Sequence, residues 1–235
     1  LYEGLPAAER AAGHERVGDA LATLPGSDPD LPFQLAHHFV LACAPLDASP
    51  ERLARARAYC RGAATAAAAR VAHHDAVRFL GQALACAERD PQVPATTRAA
   101  LLIDIGNAAW SAADVSASAV AFGRALALAR DVVRAGDAAG PALLADAALG
   151  LGGRQQRAHV AFEADVVAAL EEALAALGTS DPRRRARLLA RLAYALYSVP
   201  GSFDRRETLC AEATALARSA GDAATLVSVL NDGRW

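Results

Sequence analysis

Residues 98–131, RAALLIDIGNAAWSAADVSASAVAFGRALALARD, read as two helices folded against each other. Leu101, Leu102, Ile105, Ala108 and Ala109 recur at three- and four-residue steps, which places them on one helical face. Asp114 breaks the pattern, and Ala119, Phe122, Ala125, Leu126 and Ala129 resume it. Small residues where two helices cross and larger ones turned to the next pair, with an Asp-capped turn between, are what a stacking αα-hairpin requires.

The composition extends this reading to the whole chain. Alanine supplies 63 of 235 residues and aromatic residues 5%, so helix is favoured by propensity and no strand ladder is visible. The basic residues are all arginine, which with the alanine excess reads as the coding bias of a GC-rich bacterial genome. Formal net charge is −2 with the signs interspersed, so no general field attracts nucleic acid. No apolar run reaches the roughly 18 residues of a membrane span. Nor does a basic segment followed by an apolar one open the chain, and a cytoplasmic setting is expected. With no methionine, even at position 1, the chain reads as a piece excised from a longer protein.

Around the central hairpin, the expected helices begin with Pro6 to Leu24, with Ala12, Val17, Leu21 and Leu24 as its buried stripe. A short helix, Pro32 to Ala44, carries Phe33, Ala36, His37, Val40 and Leu41 on one face. Ser49-Pro50 is a cap and a proline start for a helix to about Val71. His73-His74-Asp75 is the expected turn into Ala76–Arg89. Past Gly136-Asp137, helices are expected at Pro141–Leu151, Ala164–Leu177, Arg183–Ser198, Phe203–Ala220 and Ala223–Asn231. Arg154 to Glu163 lacks periodicity and reads as an irregular connector. Four returning helices share an Ala-Leu pair, at 83–84, 125–126, 173–174 and 215–216, spaced 42, 48 and 42 residues apart. The expected fold class is therefore all-α, a right-handed α-solenoid of antiparallel helical hairpins.

Residues 98–131 resemble the tetratricopeptide repeat, with Ile105, Gly106, Ala108, Ala119, Ala125 and Leu126 on matching positions. Longer stretches resemble the middle of LuxR-type, MalT-like bacterial transcriptional regulators that carry an N-terminal AAA/STAND ATPase; related arms occur on some bacterial adenylate cyclases. Tyr2 to Arg10, His14 to Val17 and Ala20-Leu21 are similar to the last helices of the winged-helix module behind that ATPase. Leu35-Ala36-His37-His38-Phe39 matches a run common there. Residues 170–174, 187–193 and 217–222 are similar to the helical sensor arm. The resemblance implies a remnant of the winged-helix-like module at 1–46 and a tetratricopeptide-like repeat domain at 47–235. It implies a non-catalytic module that couples an effector or a protein partner to the ATPase and DNA-binding parts of the parent. ATP would be bound only by the ATPase domain, which this chain does not include: without lysine there is no GxxxxGK[ST] loop to cradle phosphates.

Candidate chemistry is sparse. The adjacent pairs His37-His38 and His73-His74 point about 100° apart on a helix, whereas helical zinc sites use i, i+4 spacing. The expectation is one packed and one exposed imidazole, and no metal. Cys43, Cys60, Cys86 and Cys210 stand singly and read as buried free thiols. Cys86 and Glu88, or Cys210 and Glu212, are two apart and face different ways, and no GxSxG occurs, so no catalytic residue is assigned. Gly150-Leu151-Gly152-Gly153-Arg154 follows a helix rather than a strand and reads as helix termination.

The densest basic cluster is Arg183-Arg184-Arg185 with Arg187 and Arg191, read as a solvated face with Glu171 and Glu172 as partners. A protein- or anion-docking surface is the functional alternative, and direct nucleic-acid contact is not expected. The candidate effector or partner surface comprises Trp110, Phe122, Arg154, Phe162, Arg184, Arg187, Arg191, Tyr194 and Tyr197, against core packing for each aromatic. The alternative to a partner surface is a small-molecule inducer pocket between helices, around Trp110 and the Arg154–Glu163 connector.

Overall fold

The structure, a computed structural model, describes residues 4–24, 28–151, 160–197 and 199–232, with the side chains of 160–163 and 232 left aside. Its described residues form eleven α-helices and no strand. They are α1 (Ala7–Ala22), α2 (Leu31–Ala42), α3 (Pro50–Ala69), α4 (His73–Arg89), α5 (Ala95–Ser111) and α6 (Val115–Arg134), followed by α7 (Gly140–Leu151), α8 (Val160–Leu177), α9 (Pro182–Ala195), α10 (Phe203–Ser219) and α11 (Ala223–Asp232). The starts are written locally. Ser49 Oγ accepts from Arg52 N–H at 3.3 Å ahead of Pro50, Asp114 Oδ1 from Ala117 N–H at 2.9 Å, and Asp181 Oδ1 from Arg184 N–H at 3.0 Å ahead of Pro182. None of the described helices is long and apolar enough to cross a membrane.

The chain forms two compact units, Leu1–Ala117 and Ser118–Trp235. In the first, α1 packs on α2, α2 on α3, α3 on α4 and α4 on α5. Helices two apart in sequence also meet. Glu15 of α1 pairs with Arg52 of α3 at 2.7 Å, and Phe33 of α2 stacks on Phe79 of α4 with ring centroids 5.6 Å apart. Hairpins are thus stacked in two layers. Leu31, Leu35, Phe39, Cys43, Leu53, Ala56 and Cys86 form the core between them.

The buried faces of α1 and α2 differ from the expected ones. Ala11 and Gly18 are the buried residues of α1, while Ala12, Val17 and Leu24 are exposed. The reason is Phe39: a Cβ on Gly18 would lie 2.9 Å from its ring, so the two helices meet where α1 has no side chain. On α2 the core residues are Leu31, Leu35, Ala36, Phe39 and Ala42; Phe33, Val40 and Leu41 are only half-buried and His37 is exposed.

The second unit also pairs successive helices. Here α7 packs on α8, α8 on α9, α9 on α10 and α10 on α11, and α9 also touches α7 and α11. Arg130 of α6 pairs with Glu172 of α8 at 2.7 Å, Glu171 of α8 with Arg205 of α10 at 2.5 Å, and Asp146 of α7 with Arg184 of α9 at 2.9 Å. Of the Ala-Leu pairs, Ala83-Leu84 and Ala125-Leu126 are buried, and Ala173 is fully buried beside a partly buried Leu174. The fourth fails: Ala215 is exposed, and Ala213 and Ala217 enter the core with Ala186, Leu189, Ala190 and Val229. On α10 that packing selects the alanines on either side of the expected one.

The link between α3 and α4 lies at 70–72 rather than at His73-His74-Asp75, which form the first turn of α4. Ala72 N–H donates to Ala67 O at 2.9 Å and Val71 N–H to Ala68 O at 3.0 Å, closing the helix with Val71 at φ 61°. The same pair of bonds closes α5 at Ala113 (φ 60°) and α6 at Gly136 (φ 75°). Glycine suits this left-handed position, whereas a β-branched residue is strained there. Val71 is 74% exposed, so it contributes little packing in return. Val71→Gly is therefore expected to stabilise the protein by about 0.5–1 kcal/mol, the left-handed penalty less the added chain entropy of glycine. A raised urea midpoint with unchanged slope is the check; a lowered midpoint would contradict the assignment.

Candidate functional site

A concavity lies between α2 and α4, a cleft of about 240 Å³ lined by Phe33, His37, Val40, Leu41, Arg78, Phe79 and Gln82. The stacked Phe33 and Phe79 rings each carry a guanidinium: Arg78 lies 4.1 Å from the Phe79 centroid and Arg70 4.8 Å from that of Phe33. Asp75 holds Arg78 at 3.0 Å and Asp30 holds Arg70 at 2.9 Å. The result is an aromatic and aliphatic wall beside the polar ends of Arg78, Gln82 and His37, suited to an apolar group bearing a hydrogen-bond acceptor. Its volume is below the roughly 300–1,000 Å³ of ordinary small-molecule pockets, which fits one partner side chain or a small fragment. The face of α2 expected to be buried supplies four of the lining residues, Phe33, His37, Val40 and Leu41. The periodicity identified that face, but a half-buried face and a core face carry the same apolar spacing.

The residues singled out from the sequence fall in both units. Trp110 is half-buried on α5 in the first unit. Phe122, on α6, is 3% exposed and closed over Gly150 of α7, so it is core rather than surface. Gly150 lies inside α7 and packs against Phe122 of α6; α7 ends at Leu151, and Gly152 and Gly153, where the helix is expected to stop, lie outside the described residues. Arg154 lies outside the described residues, as does the 154–159 part of the connector; α8 begins at Val160, so Phe162 belongs to a helix although its side chain is outside the description.

Of the α9 arginines, Arg183 is exposed, while Arg184, Arg185 and Arg191 are drawn into the packing. Arg184 is bound to Asp146 through Nε and Nη2, both at 2.9 Å, and to Asp181 through Nη1 at 2.6 Å. Its hydrogen bonds to Asp146, with those to Asp181, hold the guanidinium well above its ordinary range despite burial. Arg185 reaches Glu212 of α10 at 2.8 Å and the Gly178 carbonyl at 3.1 Å. Arg191 is 6% exposed. The expected partners Glu171 and Glu172 pair with Arg205 and Arg130 instead. Arg187 and Tyr194 are half-buried, and Tyr197, 62% exposed, has the Arg206 guanidinium 4.7 Å from its ring centroid. Most of this cluster is tied into structure; Tyr197 and Phe203 (64% exposed) remain as its outward aromatics.

Of the histidine pairs, His38 is half-buried and His37 exposed, and His73 is half-buried beside an exposed His74. His14 of α1 joins the first pair: its Nδ1 lies 2.9 Å from Nδ1 of His38, and its ring centroid 6.1 Å from that of His37. No group of three metal-ligating side chains converges among the described residues. Cys43, Cys60 and Cys86 are buried and Cys210 is half-buried, all as free thiols. Burial pushes the Cys60 thiol up to about 12, and the hydrogen bond to Cys86, with burial, pushes Cys43 up as well, so both stay protonated and inert. No protein-family model matches this sequence, and no curated protein matches it at a significant level.

Proposed function

We propose that this chain is a non-catalytic helical-repeat module that senses a protein partner or a small effector and relays the event by position, as the corresponding arm does in the ATPase-containing LuxR-type regulators it resembles. The observation that carries this reading is the use made of the charged side chains. Arg52, Arg130, Arg184, Arg185 and Arg205 each join one helix to another. Such a scaffold offers preformed surface between rigid helices, the arrangement by which stacked hairpins bind. Its coupling would be differential binding: an occupant that prefers one helix arrangement biases whatever is attached to the module.

The α2–α4 cleft favours a short apolar side chain or fragment with an acceptor group over a large inducer. The test is the coding frame together with the purified chain. A P-loop ATPase upstream and a helix-turn-helix downstream are expected, and finding neither would overturn the regulator reading. ATP turnover by the purified chain is expected to be absent; turnover would overturn the non-catalytic reading. In a thermal-shift screen, a metabolite that raises the melting temperature by several degrees and loses its effect in Arg78→Ala would assign the cleft to a small effector.

A further inference from the structure

Helices α3 and α5 both pack on α4, and two local features set their register. Cys60 Sγ of α3 donates to Gln82 Oε1 of α4 at 3.9 Å, and only residues 90–94 separate α4 from α5. Counted from those two points, Arg57 of α3 and Arg98 of α5 stand at the level of Cys86. Arg61 and Asp104 stand between one and two turns further on, level with Leu80 and Gly81. The electrostatics agrees with this register. The hydrogen bond from Cys43, and after it the charges of Arg89 and Arg57, hold the Cys86 thiol down, which places Arg57 beside Cys86. Burial pushes the Asp104 carboxyl up and the Arg61 charge draws it back, which places Arg61 beside Asp104.

Arg57 and Arg98 are half-buried, and the fold gives them little to bind. Nη1 of Arg57 and Nε of Arg98 are shielded from solvent without a hydrogen-bond partner. Ion pairs between helices in this unit use other arginines, Arg52 and Arg55 with Glu15 and Asp19 of α1. At the near end of α4, Asp90 Oδ1 accepts from the Gln92 amide at 3.0 Å and Glu88 is exposed. Among the described residues no carboxylate comes within ion-pair distance of Arg57 or Arg98. A buried cationic N–H without an acceptor is costly, and two cations at one level repel.

We infer that the seam between α3 and α5 is an anion-binding site in which Arg57 and Arg98 hold a phosphate dianion, free or as the monoester of a small molecule. Charge balance selects the dianion. The guanidiniums of Arg57, Arg61 and Arg98 face the single carboxyl of Asp104, so at least two positive charges remain, which one monocarboxylate does not match. Shape selects phosphate: each planar fork takes two oxygens of a phosphate, and the group has enough oxygens to serve both forks. Arg61, exposed, draws the anion in and keeps Asp104 from repelling it. None of these residues lines the α2–α4 cleft, and the site does not rest on the regulator reading.

The experiment is calorimetric titration of the intact chain at pH 7.5 and constant ionic strength in chloride. The probes are inorganic phosphate, glycerol phosphate and acetate. The better phosphate probe is expected to bind with a Kd below about 1 mM and about tenfold or more tighter than acetate. Tighter glycerol phosphate assigns a phosphorylated molecule as the natural occupant, and tighter inorganic phosphate assigns the free ion. Arg57→Gln and, separately, Arg98→Gln should each weaken phosphate binding by about tenfold, while Arg183→Gln on α9 leaves it unchanged. Because each glutamine removes one of two repelling charges, both variants should melt no lower than the natural protein in phosphate-free buffer. Acetate binding as tightly as phosphate, no phosphate binding at 10 mM, or full phosphate affinity in both glutamine variants would overturn the site. So would a glutamine variant that fails to fold without phosphate, since relief of repulsion cannot unfold the chain.

Discussion

Phe39→Ala is expected to lower the stability of the first unit by about 3–5 kcal/mol, the range for truncating a fully buried aromatic residue. Phe39 is 0% exposed and is touched from two neighbouring helices at once. Gly18 of α1 lies against its ring, Tyr59 of α3 stacks on it at 4.5 Å with planes 6° apart, and the Arg55 guanidinium lies 4.3 Å from its centroid. Truncation removes the ring that locates α1 and α3 on α2 and leaves a void that these backbones are too constrained to fill. Urea unfolding, followed by hydrogen exchange resolved helix by helix, measures the loss for this unit alone. Leu46→Ala is the control: that side chain is 96% exposed, and its loss should lie within about 0.5 kcal/mol of zero. A cost below about 1 kcal/mol for Phe39→Ala would refute the central role of this ring.

The second large effect belongs to Gly150. A Cβ there would lie 2.1–2.3 Å from Cε1, Cζ and Cδ1 of Phe122, far inside contact distance. Phe122 is 3% exposed. In an unconstrained helix, alanine would be favoured over glycine by about 1 kcal/mol. Overpacking reverses that sign, and Gly150→Ala is expected to destabilise the second unit by about 2 kcal/mol net. The decisive measurement is a double-mutant cycle with Phe122→Leu, whose smaller side chain makes room for the new methyl. Coupling above about 1 kcal/mol in the compensating direction is expected. Strict additivity would mean that the ring and the glycine do not share the space.

Much of the local structure was legible beforehand because its causes are local. Ser49-Pro50, Asp114 and Asp181-Pro182 mark helix starts through side chains that reach forward only three residues, and the structure has these caps in place. The Ala-Leu phase held for three returning helices, since each buries the small residue at its crossing point. The failures share a cause as well. In α1 and α10 nearly every face carries alanine or another small residue, so periodicity cannot tell which one is covered. Gly18 was selected by Phe39, and Ala213 and Ala217 by their neighbours on α9 and α11.

Charge was the least legible feature. Glu171 and Glu172 are adjacent in sequence, yet one turns to Arg205 of α10 and the other to Arg130 of α6. Coulomb attraction carries no sequence address; the partner is whichever arginine the packing brings within about 3 Å. The same holds for His14 and His38, 24 residues apart, and for the cleft that Phe33 and Phe79 share. By itself, the sequence determined an all-helical chain of capped hairpins, because propensity, capping and turn closure act over a few residues. Only the tertiary structure decided which faces are core, which ions pair and where concavity remains, because those depend on side chains that meet only after the hairpins stack.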